Sequence, residues 1–193
     1  MTGFKEGQPL PKAKLVQIEW TDENDLLTLF KGLQVAESDL QLVDPYDLYL
    51  VRGPATITDQ SGNVGQVNYG ALVTRVNEIP QIIITEVNLD KPTKYMTSDP
   101  LGNVIQELVT TRQDEIIIRV AEELYHLRDH LNGKIPNGTI DTAETDHAHK
   151  YQEPGFEQDA MLYRFSLLAK LLPEKWHDYN QTIDRISPRI QEN

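Results

Sequence analysis

The 193-residue sequence contains no cysteine and no long run of apolar residues. Without cysteine, the chain cannot form disulfides, thiolate metal sites, iron–sulfur clusters or a cysteine nucleophile. No apolar stretch reaches the roughly 20 residues that cross a bilayer, and the first residues lack the apolar segment of a signal peptide. We therefore expect a protein without a membrane partner, located in the cytoplasm and not secreted by a classical signal.

Clusters of basic residues are also missing. The sequence has 18 Lys and Arg against 30 Asp and Glu, a net charge of −12, and the acidic excess is spread along the chain. Proteins that bind nucleic acid neutralise phosphates with grouped Lys and Arg, so we expect no free nucleic-acid partner. A charge of this sign favours solubility and can steer docking onto a basic protein.

Strand-like segments are concentrated in the first half of the chain. Residues 15–20 approximate an alternation of apolar and polar side chains, and four further segments are rich in β-branched and aromatic residues. Those four segments are residues 48–51, 55–58, 71–76 and 82–87. Residues 59–63 contain Gly62 and Asn63, which predict a hairpin turn. We expect a loop over residues 88–103, and residues 104–109 fit either a last strand or a first helical turn.

Helical patterns dominate the second half. Thr21, followed by acidic residues, predicts the start of a short helix that ends near Gly32. Thr111 and Asp114 resemble a capping box, and apolar residues at helical spacing continue to Asn132 and Gly133. A third helix is predicted over residues 157–172 and a fourth from Trp176 to Ile190.

These elements predict an α+β fold in which helices cover one face of an antiparallel sheet and the C-terminal region is helical. We divide the chain into an N-terminal arm (1–14), an α+β core (15–133), a polar loop (134–156) and a C-terminal helical pair (157–193).

One group of candidate metal ligands lies on the predicted 111–132 helix. Its sequence contains E-x-x-H and H-x-x-x-H spacings, which place carboxylates and imidazoles on one helix face. The group comprises Glu122, Glu123, His126, Asp129 and His130. His126 and His130, with His147 and His149 of the polar loop, define one hypothesis, a metal-dependent enzyme. However, the polar group lies opposite the apolar stripe of the helix, which favours a solvated charged face.

Other catalytic motifs are missing. No serine lies in a nucleophile elbow, and no glycine loop has the spacing that binds phosphates. We therefore assign no catalytic, cofactor-binding or metal-binding residue and expect no cofactor. The sequence favours a non-catalytic structural or assembly protein that forms homo-oligomers. An acidic regulatory or inhibitor protein is a further alternative.

A subunit interface is predicted on the two C-terminal helices. Leu167 and Leu171 lie on a different side of their helix from its main apolar line, which makes the apolar arc wider than one core contact requires. Trp176, Ile183 and Ile186 extend this surface along the next helix. We predict that these five residues contact other protein subunits.

The middle of the chain resembles phage tail-completion proteins, the terminator or neck subunits. The residues concerned are 79–87 (IPQIIITEV), Leu101-Gly102, Arg112 with 115–120 (EIIIRV), and 128–131 (RDHL). The resemblance covers about a third of the chain and implies a virion-associated ring subunit without catalytic activity. It also implies a strand over residues 115–120, where the periodicity predicts a helix.

Overall fold

The computed structural model describes residues 12–58, 64–67, 71–76, 79–98, 101–133 and 156–186. These residues form eight strands and four helices. The strands are β1 (Ala13–Ile18), β2 (Tyr46–Val51), β3 (Ala55–Thr58), β4 (Val64–Val67), β5 (Ala71–Val76), β6 (Ile79–Thr85), β7 (Lys94–Ser98) and β8 (Val104–Val109). The helices are α1 (Glu23–Asp39), α2 (Arg112–Leu131), α3 (Phe156–Leu171) and α4 (Pro173–Ile186).

Four strands form the main sheet in the order β1–β2–β6–β5. The predicted α+β class is confirmed. Antiparallel pairing is found between β5 and β6 and in two separate hairpins, β3–β4 and β7–β8. In contrast, β1, β2 and β6 run parallel. The parallel β1–β2 pair follows from α1, because this helix returns the chain from the end of β1 to the start of β2.

The core lies between one face of the main sheet and helices α1 and α2. β2 and β6 contribute alternate residues to this face, with Leu48 opposite Ile82 and Leu50 opposite Ile84. Leu29 and Leu33 of α1 pack into the same cluster. α2 contacts α1, α3, β5 and β6, so it is the central helix of the molecule.

Helix α1 is longer than predicted. Its N-cap is Asp22, one residue after the predicted Thr21, and the Asp22 carboxylate accepts hydrogen bonds from the backbone of Asn24 and Asp25. The helix does not end near Gly32 but continues to Asp39. Gly32 is buried against α2, where an added Cβ would lie 3.4 Å from Val120 Cγ1. The glycine therefore marks the contact between two helices rather than a helix end.

Helix α2 has the predicted boundaries. Thr111 and Asp114 form the capping box, and Asn132 is the C-cap, followed by Gly133 with a φ of 71°. Residues 115–120 are helical, as the periodicity predicts and unlike the strand that the resemblance implies. Residues 104–109 form strand β8 rather than a helical turn.

The predicted loop over residues 88–103 is wrong over residues 94–98. Residues 94–98 form β7, which pairs with β8. β1 begins at Ala13, inside the range predicted as an arm. Residues 1–11, the predicted turn over 59–63 and residues 134–155 lie outside the described parts of the chain.

The C-terminal helices match the prediction closely over the described residues. A single residue, Leu172, separates α3 from α4. Pro173 therefore closes α3 and also occupies the first position of α4, where a missing N–H costs nothing. An aromatic cluster fixes these helices to the β7–β8 hairpin, with ring centroids 5.1–6.5 Å apart. Its members are Tyr95, Phe165, Trp176 and Tyr179.

Candidate functional site

The carboxyl ends of parallel strands are the usual place for a ligand site in open sheets. Here Glu19, Arg52 and Glu86 follow β1, β2 and β6. The Arg52 backbone N–H donates to Glu19 Oε2 at 2.9 Å, and its guanidinium donates to Thr21 at 2.7 Å. The hydrogen bond from Arg52 is the main reason that the pKa of Glu19 lies below its usual value. These side chains tie one strand end to the next.

A second cation extends this network to the helices. Arg112, at the start of α2, donates to Asp25 of α1 at 2.8 Å and to Asp90 at 3.0 Å, and it lies 3.6 Å from Glu86. The hydrogen bond to Asp25 is the largest cause of the raised pKa of Arg112. Each carboxylate named here contacts Arg52 or Arg112. This network at the carboxyl ends of the strands therefore stabilises the fold, and none of its carboxylates is left unpaired for catalysis.

The prediction of a solvated charged face on α2 is wrong. Glu123 and Asp129 are buried, and Glu122, His126 and His130 are half-buried. Helix α3 packs against α2 and reaches this polar face at Glu122, although helical periodicity does not identify the face as apolar. Arg164 of α3 donates to Glu122 at 2.6 Å, and Arg128 lies 2.8 Å from Asp129.

Arg119 occupies a similar buried position on α2. Its guanidinium donates to the backbone carbonyls of Thr85 at 2.5 Å and Val87 at 2.8 Å, so it fixes the end of β6 to the helix. Burial is the main cause of the lowered pKa of Arg119.

The predicted histidine group is only partly described. His126 and His130 lie on α2, whereas His147 and His149 fall outside the described residues. Within the described ranges, no set of three or more His, Asp or Glu side chains is arranged to hold a metal ion. A groove of about 550 Å³ lies elsewhere, between Gln106 and the first residues of α4. Lys175 lines this groove, and its ammonium group pairs with Asp114.

The predicted interface on the C-terminal helices needs correction. Leu167 and Trp176 are fully buried within the chain, so neither presents a surface to a partner. Leu171 and Ile183 are partly buried against the core, and the side chain of Ile186 lies outside the description. The wide apolar arc of α3 has an internal explanation, since this helix contacts α2, α1 and α4 at once.

Exposed apolar side chains are instead concentrated on two β surfaces. Twelve large apolar residues are exposed in the described chain, and eight of them lie on these surfaces. The first, which we name the outer hairpin surface, comprises Met96, Leu101, Val104, Ile105 and Val109 of the β7–β8 hairpin. The second, which we name the β1 edge, comprises Leu15, Val16 and Ile18.

The outer hairpin surface was missed because residues 94–98 were predicted as loop. The alternation of buried and exposed residues in this segment is short but present, with Tyr95 and Thr97 turned inward and Met96 outward. Tyr95 joins the aromatic cluster, which packs the inner face of the hairpin against α3 and α4. Its outer face carries the apolar residues and one exposed ion pair, Lys94 with Glu107 at 3.1 Å.

Comparison with known proteins gives no relative from which a function could be transferred. No protein-family model, curated protein or solved structure matches this chain. None of the described helices combines the length and apolar character needed to span a bilayer.

Proposed function

We propose that this chain is a non-catalytic structural or assembly protein that acts through protein–protein contacts made by the outer hairpin surface. The observation that carries the proposal is the grouping of exposed apolar residues on one hairpin, with Leu101 87% exposed. Single exposed apolar residues are normal on soluble proteins, but a contiguous group is typical of an interaction site.

The way the hairpin is held supports this role. Its inner face packs through Tyr95 on Phe165 and Trp176, and Lys175 donates to the carbonyl of Val109 at 2.8 Å. A hairpin held at its base loses little conformational entropy when its outer face binds a partner. Apolar contact would supply affinity, and the net charge of −12 would favour the approach of a basic partner.

A narrower form of the proposal is a neck or tail ring subunit of a phage-like particle. The sequence resemblance supports this form, and the helical residues 115–120 depart from it. A ring requires head-to-tail contacts between copies, so purified protein or its natural assembly should contain closed rings visible by electron microscopy.

The experiment compares three versions of the full chain as bait in an extract of the source organism. Leu101→Asp with Ile105→Asp places two charges on the outer hairpin surface. Val43→Asp is the matched control, because Val43 is 74% exposed and lies before β2, away from the hairpin. Bound proteins are quantified by mass spectrometry, and the main partner is then purified for affinity measurement.

We expect the wild type and Val43→Asp to retain the same partner, and the double variant to bind it about 10-fold or more weakly, because a charge enters a dry interface. All three proteins should have the same circular dichroism spectrum. Equal binding by the double variant, or a wild type that captures no partner, would contradict the proposal.

A further inference from the structure

The β1 edge forms one side of the main sheet. Among the described strands β1 pairs only with β2, so the backbone groups on its other side have no ladder partner there. Leu15, Val16 and Ile18 are 39–46% exposed. An outer strand with open hydrogen-bonding groups and exposed apolar side chains is suited to pairing with another strand.

A β-bulge determines which side chains share a face of β1. Leu15 pairs with Leu48 and Ile18 with Leu50, and the register shifts between Leu15 and Gln17. Residues three apart in a regular strand lie on opposite faces. Here the extra residue brings Leu15 and Ile18 onto the same face, since Leu48 and Leu50 share one face.

The charged residues of β1 lie on the other face. Lys14 pairs with Asp47, one residue away from Leu48, and its side chain is 77% exposed. Glu19 directly follows Ile18 and continues the ladder, with its N–H donating to the Leu50 carbonyl at 2.7 Å. The strand therefore has an apolar pair on one face and a lysine and a glutamate on the other.

We propose that the β1 edge pairs antiparallel with the β1 edge of a second copy of this chain about a two-fold axis. In the register we infer, Leu15 lies opposite Ile18 of the second copy, and Lys14 lies opposite Glu19. The two-fold axis repeats both pairs. Opposite residues in an antiparallel pair point to the same face, so apolar meets apolar and Lys meets Glu.

Charge complementarity favours a second copy as the partner. Residues 12–18 contain two lysines and no acidic residue, so this strand is locally basic although the whole chain has a net charge of −12. In the inferred register the two copies of Lys14 are four ladder positions apart along the strand, about 13 Å, which exceeds the screening length of about 8 Å at physiological salt. The Glu19 carboxylate accepts bonds from Arg52 and Gln17 and has lone pairs left for a lysine.

Pairing of this kind would join two four-stranded sheets into one of eight strands. It extends the proposed assembly function to a surface separate from the outer hairpin surface. The two proposals can therefore fail independently, because one concerns self-association of the purified chain and the other concerns capture of a different protein.

The first test is sedimentation equilibrium of the purified full chain over a wide concentration range. Lys14→Glu and Glu19→Lys are measured singly and together, with Lys31→Glu as a matched charge reversal on an exposed residue of α1. We expect each single variant to weaken the dimer about 10-fold or more, because the two-fold axis creates two like-charge pairs. The double variant exchanges the two charges and should restore dimerisation, whereas Lys31→Glu should have no effect.

The second test measures the register and does not depend on the charge variants. Since the chain has no native cysteine, Leu15→Cys and Ile18→Cys each introduce a single thiol. We expect a mixture of the two variants to form disulfide-linked heterodimers, because opposite residues lie within disulfide reach. Either variant alone should crosslink slowly, since identical positions are then offset by two ladder positions, about 7 Å along the strand, and their diagonal Cα separation of about 8 Å exceeds disulfide reach.

Three outcomes would overturn the inference: a chain that remains monomeric at every concentration, a dimer that neither single charge reversal weakens, or faster crosslinking of each variant alone than of the mixture. Leu101→Asp with Ile105→Asp should leave the dimer intact. A dimer with the expected crosslinks and no effect of the hairpin variant on partner capture would refute the proposed function while leaving this inference standing.

Discussion

Replacing Asp114 with Ala should be among the most destabilising single changes in this chain. The carboxylate is fully buried and accepts hydrogen bonds from the Thr111 backbone at 2.6 Å and from the Trp176 indole at 2.7 Å. It also pairs with the ammonium group of Lys175. One side chain therefore caps α2 and joins it to the start of α4.

The magnitude follows from what the substitution leaves behind. Loss of the capping-box bond from the Thr111 backbone costs about 1 kcal/mol. The indole N–H of the fully buried Trp176 loses its acceptor, and an unsatisfied buried donor costs about 1–3 kcal/mol. Lys175 contributes less, because its side chain is 27% exposed and water can solvate it. We expect a total loss of about 3 kcal/mol in the free energy of unfolding.

Urea unfolding followed by far-UV circular dichroism measures this loss. Asp22→Ala is the comparison variant, because the Asp22 carboxylate also accepts backbone hydrogen bonds at the start of a helix but is exposed. It should cost only the capping contribution of about 1 kcal/mol. Equal losses for Asp114→Ala and Asp22→Ala, at unchanged m values, would refute the argument that burial of the indole bond dominates.

Two further predictions concern α1. Burial is the main cause of the raised pKa of Glu37, although bonds from Lys12 and Tyr46 act in the opposite direction. The contribution of Glu37 to the free energy of unfolding is therefore fully present below its unfolded pKa of 4.5 and is lost as the pH rises through the raised pKa. Urea titrations over this pH window should show the stability advantage of the wild type over Glu37→Gln shrinking. An advantage that grows with pH would contradict this. Gly32→Ala should raise the free energy of unfolding by up to about 1 kcal/mol, because helix propensity improves and Val120 lies at ordinary contact distance. Gly32→Leu, which overfills the same site, should lower it.

Local patterns in the sequence predict local conformation well. The capping box at Thr111 and Asp114, the end of α2 at Asn132 and four of the strand segments depend on residues close to one another in sequence, and all are present. Parallel pairing could not be predicted in this way. Leu48 and Ile82 are adjacent in the sheet but far apart in sequence, and nothing near either residue specifies the partner.

The candidate surfaces were harder to predict than the fold. Periodicity identifies the apolar face of a helix but not the element that packs on another face, so the burial of Glu123 and Asp129 was missed. The same reason explains why Leu167 was assigned to an interface, although three neighbouring helices surround α3. Exposed apolar residues on short strands give little signal, because their alternation spans only five or six residues.

The central position of α2 has a consequence for synthesis on the ribosome. The apolar residues of α1 and of the sheet that form the core, such as Leu29, Leu48 and Ile82, all precede the helix that covers them. About 90 residues separate the end of α1 from the end of α2, which corresponds to about 5–20 s of translation. During this interval the nascent chain must keep an uncovered apolar layer in water. Chaperone binding to nascent chains that end before Arg112 should therefore exceed binding to chains that include α2.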